Sequence, residues 1–390
     1  DWNNKTAANV KAIKPSGIRK FFDIAAQVKG VLSLSIGEPD FAAPDKVLDA
    51  MKASLDAKET SYTGNSGMME LREAISQHFE KRYGVHYDPK DEILVTVGVS
   101  EGLAMALLAI TEPGDEVIIP DPAYVAYPAS VELAGGTPVF VPTYPEHDFK
   151  LTVEALEKVI TPKTKAIVIG YPNNPTGTVM SAEELMPIAK FAEEHDLIVL
   201  SDEIYCELMY GDAKFTSFAK LPGMRERTVI FNGFSKAYAM TGMRLGYVCA
   251  PREGLAPILK LHQYAIMCAN TTAQVGGITA LKECDDDVEA MRQEYDRRRK
   301  VIYKGLCDMG LPVFEPKGAF YIFPDIRCTG MTSAEFCEKL VQEEKVAVVP
   351  GTAFGAQGEG FVRISYAASM DTIQEALKRM ARFVEKYRSC

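Results

Sequence analysis

Residues 166–201 read AIVIGYPNNPTGTVMSAEELMPIAKFAEEHDLIVLS, and the order of patterns within them decides the fold. Ala166–Tyr171 (AIVIGY) is an apolar, β-branched run of strand length. Tyr171–Gly177 (YPNNPTG) then makes a rigid turn, because its prolines lock φ and its glycine adopts conformations that other residues avoid. Ser181, with Glu184 three residues on, forms a capping-box start in which each side chain satisfies the other residue's backbone N–H. This predicts an amphipathic helix over Ser181–His195, after which Leu197–Ser201 (LIVLS) is the next strand. Strands that are apolar on both faces belong in a mostly parallel sheet covered by helices.

The same alternation extends both ways. Upstream, Ile93–Gly98, Val117–Pro120 and Thr137–Pro142 read as strands; downstream, Thr228–Asn232 and Leu245–Ala250 do. After residue 280 the pattern changes to a charged helix (Asp285–Gly310), three short strands (Ala319–Ile326, Val346–Val349, Phe361–Tyr366) and a last amphipathic helix (Asp371–Tyr387). The expectation is an α/β fold with a smaller α+β domain.

Composition narrows the function classes. The 390 residues are 47% hydrophobic and 25% charged, as in a protein with a sizeable core. A net charge of -10 disfavours nucleic acid and anionic membrane surfaces as partners. No apolar run has membrane-span length, and the polar N-terminus lacks a signal-peptide stretch. Eight cysteines without CxxC spacing suggest reduced thiols in a cytoplasmic protein. The five histidines form no HExxH pair, so no metal is expected.

Ligands of open α/β sheets gather beyond the carboxyl ends of the strands, and five groups of reactive residues fall there. In Phe231–Gly246 (FNGFSKAYAMTGMRLG), a strand enters a turn carrying Lys236, and Arg244 follows. A partly desolvated lysine near another cation has a lowered pKa and forms Schiff bases. Ser235 and Arg244 suit a phosphate. Taken alone, the same segment also reads as a solvated turn with two surface cations. Asp202 follows an apolar strand, where a buried carboxylate needs a partner such as a protonated ring nitrogen, or else caps a helix. Tyr205, three residues on, and Asn174, in the YPNNPTG turn, could donate to a ligand oxygen; the turn is equally structural. Val97–Gly102 (VGVSEG) offers helix N-terminal N–H groups and the Ser100 hydroxyl to a phosphate, although it is neither a P-loop nor GxGxxG. That missing glycine fingerprint disfavours a nicotinamide-linked dehydrogenase. Arg363, in Phe361–Ser365 (FVRIS), is a guanidinium among apolar neighbours, either awaiting a carboxylate or facing outward.

The segments GEPDF (Gly37–Phe41), YPNNPTG, SDEIY (Ser201–Tyr205), SKAYAMTGMRLG (Ser235–Gly246) and VRISYA (Val362–Ala367) resemble the class I/II aminotransferases of fold type I, which depend on pyridoxal 5'-phosphate (PLP). The likeness is greatest to the bacterial subgroup of aromatic, aspartate and N-acetyl-diaminopimelate enzymes. It implies Lys236 as the lysine that carries PLP and Asp202 as the partner of the ring nitrogen. Tyr205 and Asn174 would bind the phenolic oxygen, and Tyr124 would stack on the ring. Ser100, the backbone of Glu101, Ser235 and Arg244 would hold the phosphate. Tyr62 (in SYTGNSG) would reach the phosphate of a neighbouring subunit, implying a homodimer. Arg363 would bind the substrate α-carboxylate with help from Asn174 and Gly37, and Ile18 would lie on a mobile segment closing over substrate. The resemblance also implies a large domain over residues 45–280 and a small domain built from residues 1–44 and 281–390.

The implied reaction moves an amino group from an L-amino acid (aromatic, dicarboxylic or N-acetyl-diaminopimelate-like) to a 2-oxo acid such as 2-oxoglutarate; a PLP-dependent carbon–sulfur β-lyase or related elimination enzyme is the alternative. A regulator with a degenerate domain of this kind would need an added DNA-binding module, for which no residues are left over. Aspartate-specific members of the subgroup tend to carry a lysine near the position of Ser100, and none stands here. LHQYAIMCANTTAQ (Leu261–Gln274) and GAFYIFP (Gly318–Pro324) resemble the N-acetyl-diaminopimelate or broad aromatic enzymes instead.

Overall fold

The computed structural model describes residues 1–389. Its strands, in chain order, are β1 (Leu32–Ser33), β2 (Ile93–Thr96), β3 (Glu116–Asp121), β4 (Thr137–Pro142), β5 (Thr164–Ile169), β6 (Ile198–Asp202), β7 (Thr228–Gly233), β8 (Gly246–Cys249), β9 (Tyr321–Ile322), β10 (Val346–Ala347), β11 (Val349–Pro350) and β12 (Val362–Ser365). The principal sheet has seven strands in the order β2-β8-β7-β6-β5-β3-β4. All its pairings are parallel except those of β8, which runs against both neighbours. The chain is thus an α/β protein with a mostly parallel central sheet covered by helices, as the resemblance implies.

Alternating side chains of the parallel strands face opposite layers. Ile167, Ile169 and Val199 pack against Leu185, Ile188 and Phe191 of the helix Ala182–Glu194. Ala166, Val168 and Leu200 pack on the other face with Leu103, Ala106 and Leu107 of the helix Gly98–Ile110. Full burial of each such Leu, Ile or Phe contributes about 1.5–3 kcal/mol. The capping box forms as the sequence predicts: Glu184 N–H donates to Ser181 Oγ at 3.1 Å, and Ser181 N–H to Glu184 Oε1 at 3.0 Å.

Register brings the functional loops to one edge. Asp202 stands opposite Phe231, Gly233 opposite Gly246, and Thr96 opposite Gly246. Because β8 is antiparallel, its beginning meets the ends of β2 and β7. The segment before β8, which contains Arg244, therefore lies beside the segments that follow those strands.

The C-terminal third holds the antiparallel sheet β11-β12-β9. The parallel pair β1 and β10 joins Leu32 to Val346 and Ser33 to Ala347. Phe21 and Leu34 share a buried cluster with Tyr295, Phe320, Ile364 and Phe383. Two expected strands differ in detail. Ala319–Ile326 is strand only at Tyr321–Ile322, since Ala319 takes a positive φ of 60° and Pro324 lacks an N–H. Val346–Val349 divides into β10 and β11, which pair with different partners. Among the described residues no helix is long and apolar enough to cross a membrane. Seven cysteines are free thiols; Cys390 lies outside the described residues.

Candidate active site

At the end of β6, Asp202 is 8% exposed. Its Oδ2 accepts from the Tyr127 hydroxyl at 2.5 Å and its Oδ1 from Ile204 N–H at 3.2 Å. Burial raises the Asp202 pKa, opposed by the Tyr127 and Ile204 hydrogen bonds and by the charge of Lys236. A deeply buried carboxylate beside a lysine is suited to hold a cationic ring N–H.

Lys236 follows β7 by three residues, after the buried Ser235. Its Nζ donates to the backbone oxygen of Gly37 at 2.5 Å and lies 5.8 Å from the Tyr205 ring centre and 5.9 Å from that of Phe320. Burial, and then the positive charge of Arg363, lower its pKa from 10.5 to about 8, against the opposing charges of Glu38 and Asp202. An amine so placed is a nucleophile near neutral pH.

The helix Gly98–Ile110 presents its N-terminus at the same edge, with Ser100 exposed in its first turn. Gly98 has a φ of +71°, and a Cβ there would lie 2.6 Å from Arg244 Nη2. Only glycine therefore lets the guanidinium approach the helix terminus. Arg244 is itself at a positive φ of 47°, and its Nη1 donates to Thr241 O at 3.0 Å. Helix N–H groups, a hydroxyl and a guanidinium are the donor set that a phosphate needs. Tyr124 packs edge-on against Tyr127 at 5.6 Å, and the charges of Asp202 and Arg244 both act on it. Burial and the charge of Asp202 raise its pKa. These donors, with Lys236 and Asp202, fit PLP from both of its ends.

Arg363, on β12, is 4% exposed. Its Nη2 donates to Ser35 O at 2.7 Å and its Nη1 to Asn174 Oδ1 at 2.9 Å, while its Nε has no partner. The guanidinium carbon lies 4.5 Å from the Tyr321 ring centre and 4.8 Å from that of Phe354. A Cβ on Gly37 would stand 3.8 Å from both Nη atoms, so Lys236 and Arg363 converge on that residue. The Tyr205 hydroxyl meets that of Tyr321 at 2.8 Å.

Lys236, Asp202, Tyr205, Asn174, Arg363, Gly37, Tyr124, Ser235, Arg244 and the Ser100–Glu101 turn thus surround one region. Tyr62 does not join them; it is 78% exposed. Ile18 lies in the helix Gly17–Ala26, whose first residue faces Ala353, next to the Phe354 that covers Arg363. Sequence reasoning missed Tyr127, Tyr321, Phe354 and the Ser35 carbonyl. The signal for Tyr127 was its spacing of one helical turn from Tyr124; for Tyr321 it was the aromatic run GAFYIFP.

Comparison with known proteins defines the class. The family described as aminotransferase class I and II matches residues 29–380. The chain is 50% identical over 376 residues to the aspartate aminotransferase of Pyrococcus abyssi, covering 96% of this chain and 97% of the relative. It is 47% identical over 379 residues to aromatic-amino-acid aminotransferase 2 of Thermococcus litoralis, covering 97% of each. The crystal structure of an aromatic aminotransferase from Pyrococcus horikoshii superposes with a TM-score of 0.90 at 49% identity, covering 94% of this chain and 99% of that one. The protein is a PLP-dependent transferase. The chain belongs to the class I and II aminotransferases, which favours group transfer over elimination.

Proposed function

We propose that the enzyme moves the α-amino group of an L-amino acid (aromatic, dicarboxylic or N-acetyl-diaminopimelate-like) to a 2-oxo acid such as 2-oxoglutarate, in a ping-pong sequence. The observation that carries this reading is the convergence of Lys236 and Arg363 on Gly37. It supports a substrate held by its carboxylate with its amine beside the Lys236 nitrogen.

Bound here, PLP supplies an aldehyde carbon for the amine and a ring that draws electrons from the substrate Cα. Arg363 binds the α-carboxylate, with Asn174 and the Gly37 backbone beside it. Lys236 Nζ would hold the cofactor and would serve as general base for the substrate Cα proton. Asp202 keeps the ring nitrogen protonated, and Tyr127 steadies its carboxylate. Tyr205 and the Nδ2 of Asn174 would donate to the phenolic oxygen, and Tyr124 would stack on the ring. Ser100, the Glu101 backbone, Ser235 and Arg244 hold the phosphate. Ile18 lies on the segment that closes over substrate.

In this reading residues 45–280 form the PLP-binding domain, and residues 1–44 with 281–390 form the small one. The β1–β10 pairing supports that division. Two copies share their sites, Tyr62 reaching the partner's phosphate. The outward Tyr62, Tyr264, Ile266 and Met267, with Asn65 Nδ2 donating to Met267 O at 2.8 Å, support a contact surface there. Within the donor class, the aromatic lining and the serine at position 100 favour aromatic or N-acetyl-diaminopimelate-like amino acids over aspartate. The test is a panel of amino acids added singly to purified holoenzyme, following loss of the cofactor's near-visible absorption and formation of each 2-oxo acid. A donor should react stoichiometrically without acceptor and turn over once 2-oxoglutarate is added. Pyruvate release from cystathionine without any acceptor would overturn the transfer reading.

A further inference from the structure

Glu101 places a carboxylate in the first turn of the helix Gly98–Ile110, directly after Ser100. A helix N-terminus carries only about half a positive charge. A bare carboxylate there would compete for that charge with the phosphate proposed to bind at the same terminus. The carboxylate is not bare. His262, fully buried, sets its Nδ1 2.7 Å from Glu101 Oε1, and the Glu101 side chain is 8% exposed. The other ring nitrogen, Nε2, lies 3.0 Å from the backbone oxygen of Asn65. A carbonyl oxygen only accepts, so Nε2 carries a hydrogen. The contact between Nδ1 and Oε1 needs a proton of its own. Whichever of those two atoms holds it, histidine and glutamate together are neutral. Val97 N–H also donates to Oε1, at 3.2 Å, and Oε2 is buried without a partner, so His262 is the charge-compensating group in contact with this carboxylate.

We propose that His262 is a positioning residue of the phosphate site: it neutralises Glu101 at the helix terminus and ties that terminus to the loop bearing Tyr62. The proposal rests on the phosphate-site reading above and extends it to a side chain outside the cofactor's own contacts. Asn65 lies three residues after Tyr62. The loop is pinned further by Thr271 Oγ1 donating to Ser61 O at 2.7 Å and Gln274 Nε2 donating to Thr63 Oγ1 at 3.1 Å. One imidazole therefore bridges this chain's phosphate-binding turn and the loop that it offers to a second copy.

The test titrates apoprotein with PLP and, separately, with pyridoxal, which lacks the phosphate, for wild type, His262→Asn and the double variant His262→Asn/Glu101→Gln. His262→Asn should weaken PLP by at least about tenfold while leaving pyridoxal within about threefold, because an uncompensated carboxylate repels only the phosphate-bearing ligand strongly. Adding Glu101→Gln should restore most of the PLP affinity. An equal loss for both ligands, or a double variant no better than the single, overturns the proposal and makes His262 a packing residue. Should His262→Asn not fold, the double variant is read against Glu101→Gln: with no carboxylate to neutralise, removing His262 should weaken PLP by no more than about threefold, and a further loss of about tenfold overturns the proposal. Wild-type apoprotein that binds pyridoxal as tightly as PLP would overturn the phosphate-site reading itself, and this inference with it.

Discussion

Arg363→Gln removes a guanidinium whose two terminal nitrogens are fixed by Ser35 O and Asn174 Oδ1 and whose plane lies against Tyr321 and Phe354. An α-carboxylate docking on a cation held this firmly gains charge-assisted hydrogen bonds of about 1.5–3 kcal/mol each. Losing two removes about 3–6 kcal/mol, which at about 1.4 kcal/mol per tenfold is about 10²- to 10⁴-fold in kcat/KM. Arg363→Lys keeps the charge but not the planar fork, so it should fall between the variant and wild type. Initial rates across donor concentrations separate the parameters, and most of the loss should appear in KM. Melting temperatures report the separate cost of leaving Ser35 O without its donor, about 1–3 kcal/mol. A folded Arg363→Gln enzyme with kcat/KM within about threefold of wild type would refute the carboxylate role.

Apoprotein should capture PLP faster as pH rises and level off near the Lys236 pKa of about 8 rather than near 10.5, because the neutral amine is the nucleophile; rates that still climb well above pH 8 in stopped-flow would contradict this. In Arg363→Gln the plateau should move to higher pH, since that charge helps to lower the lysine's pKa. Tyr127→Phe deletes the 2.5 Å hydrogen bond to a buried carboxylate and should lower kcat about tenfold with little change in substrate KM; an unchanged kcat would sink the role given to Tyr127. Glu203 is 1% exposed, and burial raises its pKa from 4.5 to about 7 against the donors Phe218 N–H, Ser201 and Ser217. The stability contributed by its protonated form is fully present below pH 4.5 and is lost as pH rises through 7. Glu203→Gln should therefore gain up to about 3 kcal/mol at pH 8 relative to its effect at low pH, measured by chemical denaturation; an equal effect at both would show that Glu203 does not titrate as described.

Lys236, Asp202 and Arg363 could be found in the sequence because each sits at the end of an apolar strand or within one, and strand ends are local patterns. Their assembly could not, since it depends on register. The antiparallel run of β8 is what returns Arg244 to the terminus at Gly98, and no local signal fixes a strand's direction. Tyr124 and Tyr127 are three residues apart, and the choice of Tyr127 as the partner of Asp202 follows from how the helix Ala126–Leu133 packs against β3 and β4. Val346–Val349 looked like one strand because propensity does not register a change of partner, here from β1 to β12. Arg363 was ambiguous for a similar reason: alternation places it on a face, and only the Ser35 carbonyl and two aromatic rings from distant segments make that face an interior one. Tyr62 is exposed on this chain, and its proposed role needs a second copy.

The central claim is that PLP is held on Lys236. Reduction of the reconstituted enzyme with borohydride fixes the cofactor to whichever amine carries it, and peptide mass spectrometry locates the modified residue. One equivalent per chain on the peptide containing Ser235–Lys236–Ala237 is the expected result, and Lys236→Ala should show neither the label nor turnover. A label on another lysine, or a Lys236→Ala protein that transaminates at near the wild-type rate, would contradict the assignment.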